Sequence, residues 1–333
     1  MSSKRYRILI TGGAGFIGSH LAQALIAHGY DVIVLDNLST GNSKNIGHLT
    51  KAKNFKFIVD SVLNESVVEE MVKSCDVVYH LAAAVGVRLI IEQPSKTIET
   101  NVLGTEVVLK MCSKYHKKVI IASSSEVYGS GVSVRFKESD PCIIGPPNKR
   151  RWSYAASKLI DEHLAFSYWY EKQLPIIVVR FFNIIGPRQT GRYGMVVPTF
   201  IKQAIQNDPV TVYGDGKQSR FFLSVSDVIR ALVAIMKNDK AIGEVFNIGS
   251  EREISIGGLA KLVIAIAKST SSIRYVPYSE AYGESFDDMR RRVPDISKLK
   301  KLNGFTPKVK LEDMIKLMIK FYLKNNEETS KNL

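Results

Sequence analysis

The chain is poor in cysteine. Its 333 residues include only Cys75, Cys112 and Cys142, scattered without the spacing of a metal site or a redox pair. That excludes a disulfide framework, leaves no metal centre to expect, and points to a reducing compartment, the cytoplasm. Long apolar runs are also missing: none approaches the roughly 20 residues that span a bilayer. The basic start, Met1 to Arg7, is followed only by Ile8-Leu9-Ile10 before glycine intervenes, which is not the layout of a signal peptide. No membrane partner is expected. Acidic residues are in deficit, 32 against 46 Lys and Arg, for a net charge of +14. The basic residues are dispersed, with short runs at Lys149-Arg150-Arg151 and Arg290-Arg291-Arg292 and no recognisable nucleic-acid module. The excess is read as solubility plus attraction for an acidic, phosphorylated substrate, with no nucleic-acid partner.

What is present is a regular alternation. Ile8–Ile10, Asp31–Leu35, Phe55–Val59, Val77–Tyr79, Val119–Ala122, Ile176–Arg180 and Val245–Ile248 read as short strands, mostly continuous apolar runs. Such runs suit parallel strands covered on both faces. Helical stretches lie between them, Phe16–His28, Lys96–Tyr115 and Tyr154–Gln173 being the clearest. The expected class is α/β, a doubly wound parallel (Rossmann) sheet with a smaller discontinuous C-terminal substrate lobe. Residues 1–183 form the nucleotide-binding domain, its sheet completed by about 222–248. Residues 184–221 and 249–323 form the lobe, where Pro and Gly punctuate short pieces, and 324–333 read as a frayed tail.

Gly12, Gly15 and Gly18 follow the first strand and open a helix through Phe16 and Ile17. Glycine lets the backbone turn tightly against a pyrophosphate, and the helix start supplies N–H groups. The second strand ends at Asp36, where an acid can hold a ribose 2′-hydroxyl and would repel a 2′-phosphate. Asn37 and Leu38 offer no arginine to hold one, so NAD is expected rather than NADP. Asp60 closes the third strand, as an acceptor for the adenine amino group or as a solvated strand-end carboxylate. His80-Leu81-Ala82-Ala83-Ala84 ends the fourth, with small side chains leaving room for the cofactor. His80 itself reads equally as a packed core histidine.

Tyr154 and Lys158 stand one helical turn apart on one face. An ammonium there lowers the phenol pKa and can hold the nicotinamide ribose, and the phenolate can take a sugar hydroxyl proton. Tyr168 and Lys172 repeat the spacing, but Tyr154 lies nearer the C-terminal end of the fifth strand, where ligands bind in such sheets. The run Ser123-Ser124-Ser125-Glu126 adds hydroxyls and a carboxylate. Ser124 serves the reacting oxygen. Ser125 and Glu126 suggest proton work or orientation near C5 or C6 of a sugar, or a structural loop carboxylate.

In this order the motifs resemble the extended short-chain dehydrogenase/reductase family of nucleotide-sugar enzymes. Asn101-Val102-Leu103-Gly104-Thr105, Arg180-Phe181-Phe182-Asn183, Gly186-Pro187-Arg188, Tyr213-Gly214-Asp215-Gly216 and Phe246-Asn247-Ile248-Gly249 extend the likeness over nearly the whole chain. The resemblance implies a cofactor contact at Asn101, diphosphate contacts at Asn183 and Arg220, a uracil-flanking stretch around Val197, further substrate contacts at Val85 and Tyr213, a UDP-sugar substrate, and a homodimer formed through the helices containing Lys96–Tyr115 and Tyr154–Gln173. The approach to the tyrosine, Gly145 to Ser153 with Arg151, and the segments Tyr282–Asp288 and Arg292–Ile296 look like the UDP-glucuronate decarboxylases of the aminoarabinose pathway and the UDP-apiose/xylose synthases. Arg292 falls where that group has an arginine implicated in catalysis. The plant apiose enzymes carry cysteines where this chain has Val85 and Ser125, which argues against ring contraction. The loop Gly191-Arg192-Tyr193-Gly194-Met195 looks more like the substrate loops of epimerases.

The resemblance thus implies decarboxylation of UDP-glucuronate through C4 oxidation, to a UDP-pentose or a UDP-4-keto-pentose. Arg151 or Arg292 would hold the carboxylate or a phosphate. The alternative is a UDP-hexose or UDP-hexuronate 4-epimerase. A non-catalytic NAD sensor is disfavoured, since a binder has no need of Tyr154, Lys158 and Ser124.

Overall fold

A computed structural model describes residues 6–131, 133–191, 195–277, 280 and 291–330. Seven strands form the central sheet: β1 (Arg7–Thr11), β2 (Asp31–Leu35), β3 (Phe55–Ile58), β4 (Val77–His80), β5 (Lys118–Ser124), β6 (Ile176–Phe181) and β7 (Glu244–Ile248). These are the seven expected apolar runs, with slightly moved ends. Their order is β7-β6-β5-β4-β1-β2-β3, and every neighbouring pair is parallel.

The helices are α1 (Phe16–Ala27), α2 (Glu65–Lys73), α3 (Val87–Glu92), α4 (Pro94–Lys114), α5 (Trp152–Lys172), α6 (Val196–Ile205), α7 (Val225–Met236), α8 (Ile256–Ala267), α9 (Ser297–Asn303) and α10 (Leu311–Ser330). Alternation along each strand divides the apolar residues between two cores. Ile8, Ile10, Val32, Val34 and Tyr79 pack with α1 and α7. Leu9, Ile33, Val78, Val119 and Ile121 pack with α2, α4 and α5. Because both faces are covered, the strands read as unbroken apolar runs.

A third core joins α6, α8 and α10 through Phe200, Ile201, Leu259, Val263, Ile315 and Met318. Around it, Val210–Tyr213 pairs in parallel with Ile273–Val276, and Ser219–Phe221 pairs antiparallel with Glu253–Ser255. This is the smaller lobe, and its limits differ from the expectation. Ile296, Leu299 and Phe305 pack into the first core, beside α7, not into the lobe. The Asn247 side chain at the end of β7 donates to the carbonyls of Phe136 and Asp295, which draws that segment back to the sheet. The tail also differs: α10 continues to Ser330, its apolar stripe of Met314, Ile315, Met318 and Ile319 seated on the lobe.

Strand order reverses at β1, which lies between β2 and β4. Connections leave the two sides in opposite directions and open a crevice at the carboxyl ends of β1 and β4. Thr11 and His80 sit opposite each other there.

Candidate active site

The crevice is built for close backbone approach. Gly12 has φ +71°, and a Cβ on it would lie 2.7 Å from the Ala82 nitrogen. A Cβ on Gly18 would lie 2.3 Å from the Gly12 carbonyl oxygen. Both positions therefore require glycine. The first turn of α1 has no side-chain cap at Gly15, which leaves its N–H groups for a phosphate. At the tip of β2 the Asp36 carboxylate accepts the N–H groups of Ala14 (2.9 Å) and Leu38 (2.8 Å). Burial pushes the Asp36 pKa up, while those N–H groups hold it back. Leu38 has φ +60°, an outlier for a bulky side chain that costs on the order of 1 kcal/mol. This loop, with its glycines, uncapped helix and strand-end acid, fits a dinucleotide.

The neighbouring residues fall as follows. Phe16 and Ile17 are partly buried against the first core. Asn37 accepts the Ser39 N–H. Asp60 accepts from the Ser61 backbone at 2.7 Å and from the Asn64 side chain. Leu81, Ala82 and Ala83 line the loop after β4, partly exposed, and Val85 is open to solvent. Asn101 is fully buried behind that loop, accepting from the Ala84 N–H at 2.8 Å and donating to Ser157 at 3.0 Å. It anchors the loop to α5. His80 is a packed histidine: Nδ1 meets the Thr11 hydroxyl, Nε2 meets Thr105, and burial lowers its pKa to about 3.

α5 brings Tyr154 and Lys158 to the crevice, both nearly fully buried. Ser124, at the end of β5, hydrogen-bonds the Tyr154 phenol and also accepts the Glu126 N–H at 3.2 Å. Burial raises the Tyr154 pKa, while Lys158 and Ser124 pull against it. Tyr168 lies farther along α5, beside Glu106 and Lys110 of α4 and away from Ser124, so the repeated spacing builds no second site.

Glu126 sits in the turn Ser125–Tyr128 amid three guanidinium groups. Arg292 donates to Glu126 and, at 3.3 Å, to Ser125. Arg151 stands 3.8 Å from the other carboxylate oxygen and stacks over the Trp152 ring. Burial alone would raise the Glu126 pKa, but Arg292, Arg151 and Arg220 outweigh it, and the carboxyl is held below its usual range. Arg292 Nε and Asn183 Nδ2 are buried donors with no protein partner among the described residues, which suits an anionic ligand. Tyr213 ends the strand Val210–Tyr213 and is half-exposed. Val197 lies in the first turn of α6, its side chain turned into the lobe core. Arg192 and Tyr282–Asp288 lie outside the described residues.

Residues 9–318 match the family model described as GDP-mannose 4,6 dehydratase. The chain belongs to this GDP-mannose 4,6-dehydratase-like family of short-chain dehydrogenases/reductases. Within the family it is similar to a UDP-N-acetyl-alpha-D-glucosaminuronate decarboxylase of Bacillus cytotoxicus, 44% identical over 317 residues, 95% of this chain and 97% of the relative. It is similar to UDP-glucuronic acid decarboxylase 1 of Arabidopsis thaliana, 37% identical over 332 residues, 99% of this chain and 73% of the relative. Among solved structures it resembles the UDP-glucuronic acid 4-epimerase of Bacillus cereus in complex with UDP-glucuronic acid and NAD, with a TM-score of 0.86 and 32% identity over 96% of this chain and 99% of that one. The chain is an NAD-dependent nucleotide-sugar enzyme of this family.

Within that family frame, the residues that the motifs do not single out are Asp161 and Glu162, two acids close behind Lys158 on α5. The signal was present in Lys158-Leu159-Ile160-Asp161-Glu162. An acid three residues after a lysine on a helix reads as a solvated pair, and only the packing shows Asp161 fully buried.

Proposed function

We propose that this chain decarboxylates a UDP-hexuronate, UDP-glucuronate or its 2-acetamido counterpart. The observation that carries the reading is the Arg292–Glu126–Ser125 cluster beside Ser124 and Tyr154. Exchange of hydride at C4 needs only Tyr154, Lys158 and Ser124. The added guanidinium cluster, with a spare buried donor at Arg292 Nε, suits a substrate carboxylate.

Gly12, Gly15, Gly18 and Asp36 would hold NAD, which supplies the hydride acceptor for C4 when bound. Tyr154 takes the C4 hydroxyl proton, and Ser124 holds the oxygen. Once C4 is a ketone, the C5 carboxylate is β to it. The bond from C5 to the carboxylate carbon breaks, and its electron pair delocalises into the C4 oxygen as carbon dioxide leaves. Tyr154 and Ser124 stabilise the enolate, a preorganised electrostatic role. Glu126, held ionised by the arginines, is no proton donor in the resting site; it orients Arg292, and C5 takes its proton from solvent water admitted beside that pair. The product is a UDP-4-keto-pentose, or a UDP-pentose if hydride returns.

The test is incubation with NAD and either hexuronate, read by mass spectrometry. The expected product is lighter by one carbon dioxide. An unchanged mass with a new C4 epimer by NMR sinks decarboxylation. It would install 4-epimerisation, the reading favoured by the likeness to the Bacillus cereus epimerase.

The same reading carries a homodimer in the cytoplasm. The three cysteines are unpaired, as a reducing compartment requires. Ile98 and Leu103 on α4 and Ile160 on α5 are apolar and more than 40% exposed. Sedimentation should give twice the chain mass, and Leu103→Glu with Ile160→Arg should give a folded monomer. A monomeric wild type overturns the dimer.

A further inference from the structure

One acid beside the reacting groups has no part in the chemistry above. Asp161 lies one turn beyond Lys158 on α5, and its Oδ2 stands 2.9 Å from Lys158 Nζ. The two side chains are 0% and 3% exposed. On an exposed helix face such a pair contributes a few tenths of a kcal/mol. Buried, it fixes where the ammonium sits, because neither charge has water to turn to.

The pair is tied to the rest of the crevice. From α4 the Thr105 hydroxyl faces the Asp161 carboxyl. Thr105 Oγ1 is 3.1 Å from His80 Nε2, and His80 Nδ1 is 2.8 Å from Thr11 Oγ1. Thr11 Oγ1 accepts the Ala82 N–H at 3.3 Å. A carboxylate can only accept, so the Asp161 end of the chain sets the proton directions. A Thr105 hydroxyl turned toward the Asp161 carboxyl leaves its oxygen to accept His80 Nε2–H, and Nδ1 then accepts from the Thr11 hydroxyl. This order needs a neutral His80, which is how burial leaves it.

We propose that Asp161 is a positioning residue for the catalytic lysine: its buried ion pair sets the Lys158 ammonium beside Tyr154, and the chain Thr105–His80–Thr11 locks that pair to the Ala82 loop over the cofactor crevice. The proposal rests on the reading of Tyr154 as the base.

The ionisable groups around Tyr154 and Lys158 are Asp161 and Glu162 on α5, His80 on β4 and Glu126 in the turn after β5. Asp161 raises the proton affinity of both Tyr154 and Lys158. Neutralising it therefore lowers both. The base is active when deprotonated and the lysine when protonated, so both limbs of a bell-shaped rate profile move toward acid.

The test uses full-length, NAD-loaded protein with 13Cζ-labelled tyrosine, the Tyr154 resonance being assigned with Tyr154→Phe. It needs no sugar substrate, so its failure is separate from failure of the decarboxylase reading. In Asp161→Asn the Tyr154 midpoint should fall by about one pH unit, and Asp161→Glu should restore most of it. Asp161→Ser provides a second neutral variant should the first not fold. A midpoint unmoved in a folded neutral variant overturns the proposal, whatever happens to melting temperature or overall activity.

Discussion

Replacing Tyr154 with phenylalanine should lower kcat by about three orders of magnitude, the usual range for loss of a positioned acid–base group. The argument is local. The substitution removes one oxygen, and the hydroxyl partner given up is Ser124, which keeps its bond from the Glu126 N–H. The ring volume is retained on a nearly buried side chain, so packing of α5 against β5 is undisturbed. Lys158 keeps Asp161 as partner. The loss should therefore fall on kcat, with NAD affinity, read by fluorescence titration, within about twofold of wild type. Tyr168→Phe is the control and should leave turnover intact, since that ring lies beside α4 residues away from Ser124. A Tyr154→Phe enzyme within about tenfold of wild type would mean that another group takes the C4 proton.

The second large effect is on stability. Glu162→Gln should cost about 3–5 kcal/mol, because it leaves a buried guanidinium without its counterion. Arg180 Nε and Nη2 donate to the two Glu162 oxygens at 2.9 and 2.7 Å, with both side chains at 6% exposure or less. Ser123 donates to the same carboxylate, and the guanidinium lies 4.7 Å over the Tyr128 ring. The pair bolts α5 to β5 and β6 at the level of the reacting tyrosine. Denaturant unfolding of the NAD-free protein measures the cost. The double variant Glu162→Gln with Arg180→Met should regain most of the loss, since neither charge then stays buried alone. A single variant that loses less than about 1 kcal/mol would show that this pair is no clamp.

Much of the sheet was legible because burial on both faces writes itself into continuous apolar runs such as Ile176 to Val179, and all seven strands could be read. The glycine loop and the Tyr154–Lys158 spacing were legible because steric and helical repeats are local. The partnership of Glu126 with Arg292 was not. The two are 166 positions apart, and only the resemblance suggested a role for the arginine. The burial of Val197 was not legible either, because an apolar residue looks the same in sequence whether it lines a crevice or the lobe core. Residues 296–305 were assigned to the lobe because nothing in their local pattern reveals that Asn247 captures the backbone at Asp295. The burial of Asp161 is not legible in the sequence, because charge alone does not reveal desolvation.

The long reach from Glu126 to Arg292 also ties the site to both ends of the chain. Six of the seven sheet strands, the glycine loop, Tyr154 and Lys158 all belong to the first 181 residues. The other face of that sheet waits for α7, whose Val228, Leu232 and Ile235 cover Ile8, Ile10 and Val34. Arg292 reaches Ser125 from a segment pinned where the Phe136 N–H pairs with the Val293 carbonyl and the Asp295 N–H with the Phe136 carbonyl. Those contacts span more than 150 positions, and closing so long a loop costs entropy before any contact repays it. A chain that stops short of Arg292 therefore lacks the guanidinium proposed for the substrate carboxylate, although its glycine loop, Tyr154 and Lys158 are all in place in sequence.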